Sequence, residues 1–428
     1  MKRAVVVMSV VLSAASGQNL RWVYHHGDSL SLAGIARAVV CAPDSSIYAA
    51  GTNFGWPFVP QMTVVGLRPD GSRRWTYERL GYIAWPSQPD FVKRPLAYGD
   101  DGNLYAAGAV IDTAGGVMER WDFTALSLTR QGQERWVYTW AGPTDSGGFA
   151  QAVTQGADGS VYAAGWCIAG GSNMILTVVG LTQAGQLRWT YLHSGHGGYY
   201  EMATDVVCGA DGSIYVVGLM GMDSAPRLTV ISLSPSGSVR WVYRHDSLGT
   251  SRGYSLAAAC GPDGNIYVAG GIEGTGYDLD FAVVSLTPAG TERWVYRYNG
   301  PANLDDFAFS LVCAEDGTIY ASGYSIGVDS AQDVAVVSLT PSGSEQWVYR
   351  LRTHSPQAYE CPLALGVDGN IYAAGTSYTD STREDVAVVS LTRAGVEVGP
   401  IATTAHRAIP MHLWRWHRTR TATSILPA

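Results

Sequence analysis

Seven copies of one tetrapeptide, Arg-Trp-Val-Tyr or a close variant, limit what this chain can fold into. Their tryptophans are Trp22, Trp75, Trp136, Trp189, Trp241, Trp294 and Trp347. A second signature, written "DGNIYVAG" in its fifth copy, recurs with Tyr48, Tyr105, Tyr162, Tyr215, Tyr267, Tyr320 and Tyr372. Both repeat every 52 to 61 residues, and self-similarity at such a period marks a row or ring of equivalent units rather than separate domains. In the fifth unit four apolar runs, "YSLAAACG", "NIYVAG", "DFAVVSLT" and "ERWVYRY", are separated by turn signals. Asp263-Gly264-Asn265 is a tight hairpin signal, and Pro288-Ala289-Gly290 places Gly where a turn needs a left-handed residue. Each unit therefore reads as a four-stranded antiparallel meander.

These strands are apolar on both faces. In "NIYVAG", Ile266 and Val268 point one way and Tyr267 and Ala269 the other, so each sheet must be covered on both sides. Stacked or ringed copies of the sheet satisfy that demand. The seventh unit places Gly399-Pro400 where its Trp would stand, and the chain begins with an unassigned "RWVY". If Leu20–His25 pairs with Asp385–Thr392, the ends meet and no sheet edge of the array stays open. The expected fold is all-β: a seven-bladed β-propeller of four-stranded antiparallel blades, closed by the N-terminal strand joining the last blade.

On these residues the chain resembles the bacterial SBBP propeller repeat, whose pattern is "D-x-x-G-N-x-Y-x-x-G" followed by "D-x-x-V-x-K-L-x-x-x-G-x-x-x-W". The likeness spans about Leu20 to Gly395 and departs where "VVSL" and "VVGL" put Ser or Gly in place of the family's Lys. It implies the propeller fold and no single activity. A weaker likeness to quinoprotein propellers rests on a Trp following a Gly turn; their cofactor-binding residues have no counterparts here, and no cofactor is expected.

Composition fits many short strands: 46% hydrophobic, 15% charged, 51 Gly and 14 Trp. Residues 1–17 have a basic tip, Lys2 and Arg3, an apolar run from Ala4 to Ala15 and small residues at Ala15 and Gly17, the pattern of a secretory signal. Twelve apolar residues are too few for a membrane-spanning helix, which needs about 20. The expected organisation is a signal peptide at 1–17, the propeller at 18–396 and an irregular basic tail at 397–428, in a monomer that is secreted, periplasmic or held at the cell surface. The formal charge of −8 hides a more acidic body: between Gln18 and Val396, 35 acids face 22 bases, a net −13. That excludes a nucleic-acid binder, which must neutralise phosphates.

Export permits disulfides. Cys41, Cys208, Cys260 and Cys313 share one position, three residues before the Asp of the first turn, and so fall in different units; they are expected to be buried free thiols. Cys167 and Cys361 lie off this register and are left open to pairing. The catalytic and metal motifs HExxH, CxxC, P-loop and DxDxDG are missing. His26, His193 and His245 share a strand-exit position in separate sheets, so no metal site is expected.

In an up-and-down sheet the first and third turns lie at one end, while the second loop and the link to the next sheet lie at the other. The first and third turns are short and uniform, so variable segments gather at the opposite end. These carry Trp56, Trp85, Trp140, Trp166, Tyr199, Tyr200 and Tyr277, aromatic rings suited to a sugar or a protein. Glu201, Asp305, Asp306 and Glu360 open first strands near the axis, where acids from several units could converge. The expected function is non-catalytic binding of a carbohydrate or protein on the variable-loop face. The alternatives are a secreted propeller enzyme, hydrolase, lyase or quinoprotein-like oxidoreductase, using the axial acids, and a structural surface module with no discrete ligand.

Overall fold

A computed structural model describes residues 8–12, 22–26, 33–55, 59–83, 94–112, 120–171, 173–193, 201–220, 227–245, 253–274, 278–355, 361–366, 368–379 and 383–401. Among them the strands form seven consecutive antiparallel meanders, sheets 1 to 7 in chain order, of which the last five are separate four-stranded sheets and the first two are joined into one eight-stranded sheet where Gly81 and Tyr82 pair with Val110 and Ala109. Sheet 5 shows the pattern: Gly253–Cys260, Ile266–Glu273, Leu279–Leu286 and Glu292–Tyr298. Its second and third strands are buried throughout, whereas its fourth is exposed or half-buried except at Tyr296, as an outermost strand should be.

The repeat Tyr and Trp explain how the sheets adhere. Tyr267 is fully buried and lies 5.8 Å, centroid to centroid, from Trp294. Trp294 in turn donates its indole N–H to the Pro341 carbonyl, 3.1 Å away in the third turn of sheet 6. The same link joins Trp75 to Arg130, Trp136 to Gln183, Trp189 to Pro235, Trp241 to Pro288 and Trp347 to Arg393. Each indole lies over the glycine of the turn it bonds, as Trp241 lies over Gly290 (φ 82°). Six of the seven repeat tryptophans thus pack between sheets, with a directional bond added to the apolar contact. A second link runs from the repeat tyrosine two residues on: Tyr296 donates to Glu345 at 2.6 Å and Tyr349 to Glu397 at 2.7 Å. Apolar clusters fill the layers between consecutive sheets.

The closing strand differs from expectation. The outer edge of sheet 7 pairs with Glu397–Ile401, not with the N-terminal segment. Its register, Leu391 opposite Glu397 and Ser390 opposite Gly399, repeats that of sheet 6, where Leu339 faces Glu345 and Ser338 faces Trp347. Gly399 thus occupies the tryptophan's place. Pro400, taken from the sequence as a strand terminator, is accommodated because an outermost strand has one edge without a partner. The sheet region therefore runs to Ile401, five residues into the segment expected to be an irregular tail. Trp22–His26 instead pairs with Met8–Leu12, which lies against the first two strands of sheet 1. Third strands lie the same way on the following sheet, so this hairpin stands where the outer half of a preceding sheet would be. Residues 8–12 fall within the expected signal peptide and lie in that hairpin.

Sheet 2 breaks the pattern where it bears on function. First strands of sheets 1, 3, 4, 5 and 6 contain a one-residue bulge, for example between Ala150 and Ala152. In sheet 2 the inner edge of Leu104–Asp112 is covered by two separate pieces: Gly81 and Tyr82 opposite Val110 and Ala109, and Leu96–Tyr98 opposite Leu104–Ala106. Ten residues, 84–93, separate Ile83 from Arg94 in the sequence between these two pieces. An insertion has opened the innermost strand at its bulge.

Candidate ligand face and axial residues

The first and third turns are locked in every sheet. In sheet 5, Gly264 N–H donates to the Gly261 carbonyl at 3.0 Å, Asp263 accepts from the Asn265 amide at 3.1 Å, and Tyr267 donates to Asp263 at 2.8 Å. In sheet 2 the equivalent Asp101 accepts from Tyr105, Asn103 and Gln183. Burial opposes ionisation of this carboxyl, but the hydrogen bonds outweigh it and hold the pKa at about 2. Side chains at this end are spent on holding the turns and on receiving the tryptophans of the neighbouring sheet.

Six of the proposed site residues, Trp56, Trp85, Tyr199, Tyr200, Tyr277 and Glu360, lie outside the described residues. Trp140 ends the fourth strand of sheet 2, opposite Phe123, and is half-buried against the apolar cluster between sheets 2 and 3. Trp166, expected on the loop surface, is a correction: it is 4% exposed and stacks on Phe149 with centroids 6.3 Å apart. Its strand, Val161–Ile168, continues past the repeat glycine Gly165, so the ring falls on a covered face.

The described axial acids do not converge. Asp305 accepts the Leu279 amide at 2.8 Å. Asp306 is fully buried and accepts from the Gly300 and Ile326 amides at 2.5 and 3.0 Å. Burial raises its pKa, while those amides, Ser325 and the Arg350 charge pull the other way. Glu201 is buried, and its backbone N–H donates to the Met174 carbonyl at 3.1 Å. The Asp305 and Asp306 carboxylates thus hold backbone amides at strand ends and in the preceding loop. Among the described residues no group of three or more His, Cys, Asp or Glu could hold a metal. His193 Nδ1 is 3.0 Å from the Tyr191 hydroxyl, and His245 Nδ1 is 3.1 Å from that of Tyr243, so the shared histidine position serves local packing.

All six cysteines are free, including Cys167 and Cys361. Cys41 is exposed, against the expectation of a buried thiol; Cys208, Cys260 and Cys313 are half-buried. Burial pushes those three thiols up to about 12.

Sequence reading missed the charged group at the centre. Arg94, at the return of the sheet 2 insertion, places Nε 3.1 Å from Asp205 Oδ1 and Nη2 3.4 Å from Asp205 Oδ2, across to sheet 4. Its Nη2 also donates to the Ala258 carbonyl of sheet 5 at 3.2 Å. Asp205, 1% exposed, accepts in addition from the Val206 and Ala258 amides. The available signal was spacing: 61 residues separate Trp75 from Trp136, against 52 or 53 between other neighbours.

With this geometry in view, solved structures place the fold. A crystal structure of the polysaccharide lyase Uly1 superposes with a TM-score of 0.50 at 12% identity, covering 91% of this chain and 97% of the other. Sqt1 from Chaetomium thermophilum also gives 0.50 at 12% identity, covering 88% of each chain. The fold is a β-propeller. A protein described as a putative gluconolactonase is 17% identical over 72% of this chain and 96% of its own, with a TM-score of 0.34. No protein-family pattern matches the chain, and no curated protein does. At these identities the likeness concerns the propeller architecture alone.

Proposed function

We propose that this protein is a non-catalytic propeller scaffold, exported to the cell surface or beyond, that binds a carbohydrate or protein on the end of its sheets opposite the short turns. The carrying observation is the asymmetry between the two ends. At the turn end, indole N–H groups, turn aspartates and glycines repeat from sheet to sheet and are engaged with one another. The opposite end is freed from that duty, and its segments differ in length and side chains from unit to unit, as recognition loops on a rigid scaffold do. The described acids near the axis support binding over catalysis, because Asp305 and Asp306 accept backbone amides. The likeness to the SBBP repeat, which carries no one activity, agrees with a scaffold.

The test is a glycan-array and protein-interaction screen of the full chain, repeated for Trp85→Ala and for Tyr199→Ala combined with Tyr200→Ala. A ligand whose binding drops in either variant, with the melting temperature unchanged, supports the proposal. Equal binding by all three proteins refutes this placement of the site.

A further inference from the structure

We propose that Arg94 is a latch across the propeller axis, holding the inner ends of sheets 2, 4 and 5 together and closing the axial passage above Cys208 and Cys260. Four observations carry this. Arg94 returns from an insertion in an innermost strand, whereas other first strands have only a one-residue bulge there. Its backbone is fixed on sheet 3, where its carbonyl accepts the Val153 amide at 2.9 Å and it bridges Ala152 in parallel. Its side chain then passes that sheet and bonds Asp205 of sheet 4 and Ala258 of sheet 5. Finally, 40% of the Arg94 side chain is accessible to solvent while that of Asp205 is 1% accessible, so the guanidinium covers a buried carboxylate from the open side.

The latch is built to bind one partner. Asp205 receives the Val206 and Ala258 amides besides the guanidinium, so its carboxylate is oriented before Arg94 arrives. Guanidinium and carboxylate meet through two nitrogens and two oxygens, a fork geometry that a lysine ammonium cannot reproduce. Cys208 and Cys260 end the first strands of the same two sheets, three and two residues beyond the Asp205 and Ala258 groups that Arg94 bonds. Their exposure to reagents should follow the state of the latch. This inference does not depend on the proposed ligand face.

The experiment is alkylation of the native full-length chain with iodoacetamide, each thiol followed by peptide mass spectrometry, in wild type, Arg94→Met and Asp205→Asn. Cys167, fully buried between sheets 2 and 3, reports loosening away from the axis. The expected result is a rise of about tenfold or more in labelling of Cys208 and Cys260 in both variants, from local opening, with Cys167 unchanged. Unchanged Cys208 and Cys260 rates would overturn the latch. So would a parallel rise at all three thiols in both variants, which would make the pair a support of the whole fold.

Discussion

Gly290→Ala and Gly264→Ala are the same chemical change at two left-handed turn glycines of one sheet, yet they should differ severalfold in cost. Both residues have positive φ, 82° and 76°, so each alanine is charged about 1–2 kcal/mol for its backbone conformation. At Gly264 nothing lies within 4 Å of the new methyl group, and that cost stands alone. At Gly290 the methyl would sit 2.6 Å from Trp241 Cδ2, and the indole must move. Displacing a packed ring adds about 1–3 kcal/mol, and losing the 3.0 Å bond to the Pro288 carbonyl adds about 0.5–1.5 kcal/mol. Gly290→Ala should therefore cost about 3–6 kcal/mol against about 1–2 for Gly264→Ala. Urea unfolding followed by far-ultraviolet circular dichroism measures both. Trp241→Ala, itself costing about 3–5 kcal/mol, should bring the Gly290→Ala penalty down to the Gly264 level. Equal costs at the two glycines in the wild-type background would refute the indole-on-glycine joint.

Other expectations follow from the same geometry. Glu345→Gln leaves Tyr296 an acceptor but removes its charge, and should cost about 0.5–1.5 kcal/mol in urea unfolding; a neutral result would show that the tyrosine link adds nothing to stability. Asp306→Asn puts an amide N–H against a backbone N–H donor and should destabilise by about 1–3 kcal/mol, read in the same assay. Asp101 is held at about 2, below its unfolded value near 3.8. Its contribution is therefore complete above pH 4 and lost as pH falls toward 2. Asp101→Asn should flatten the stability profile over that window, and an unaltered profile would contradict the assignment. Under brief iodoacetamide treatment at pH 8, Cys41 should be modified before Cys167, whose thiol burial pushes up to about 12.

Much of the scaffold could be read from the sequence because each unit repeats the same local decisions. "DGN" and "PAG" fix two turns, two-sided apolar strands demand neighbours on both faces, and a tryptophan once per unit must serve the unit boundary. The misreadings occur where a residue type was taken as decisive without its neighbours. Gly399-Pro400 looked like a stop, but an outer edge strand tolerates both. Trp166 looked like a loop residue because it follows the repeat glycine, yet its strand runs on to Ile168. Arg94 and Asp205 lie 111 residues apart, and no local pattern couples them. Only the long interval between Trp75 and Trp136 hinted that sheet 2 held something extra. Asp305 and Asp306 stand at a strand start, but their partners are backbone amides supplied by the fold, which a list of side chains does not reveal.

The assignment of strands to sheet 7 defines both ends of the propeller, and cysteine pairs test it directly. Ser390 lies opposite Gly399, and directly paired antiparallel residues have Cα atoms about 4.5–5.5 Å apart, within disulfide reach. Ser390→Cys combined with Gly399→Cys should give an intramolecular bridge under mild oxidation, located by peptide mass spectrometry, while Ser390→Cys with Trp22→Cys should give none. A bridge in the second pair and not in the first would show that the N-terminal strand completes the last sheet, and would contradict the architecture described above.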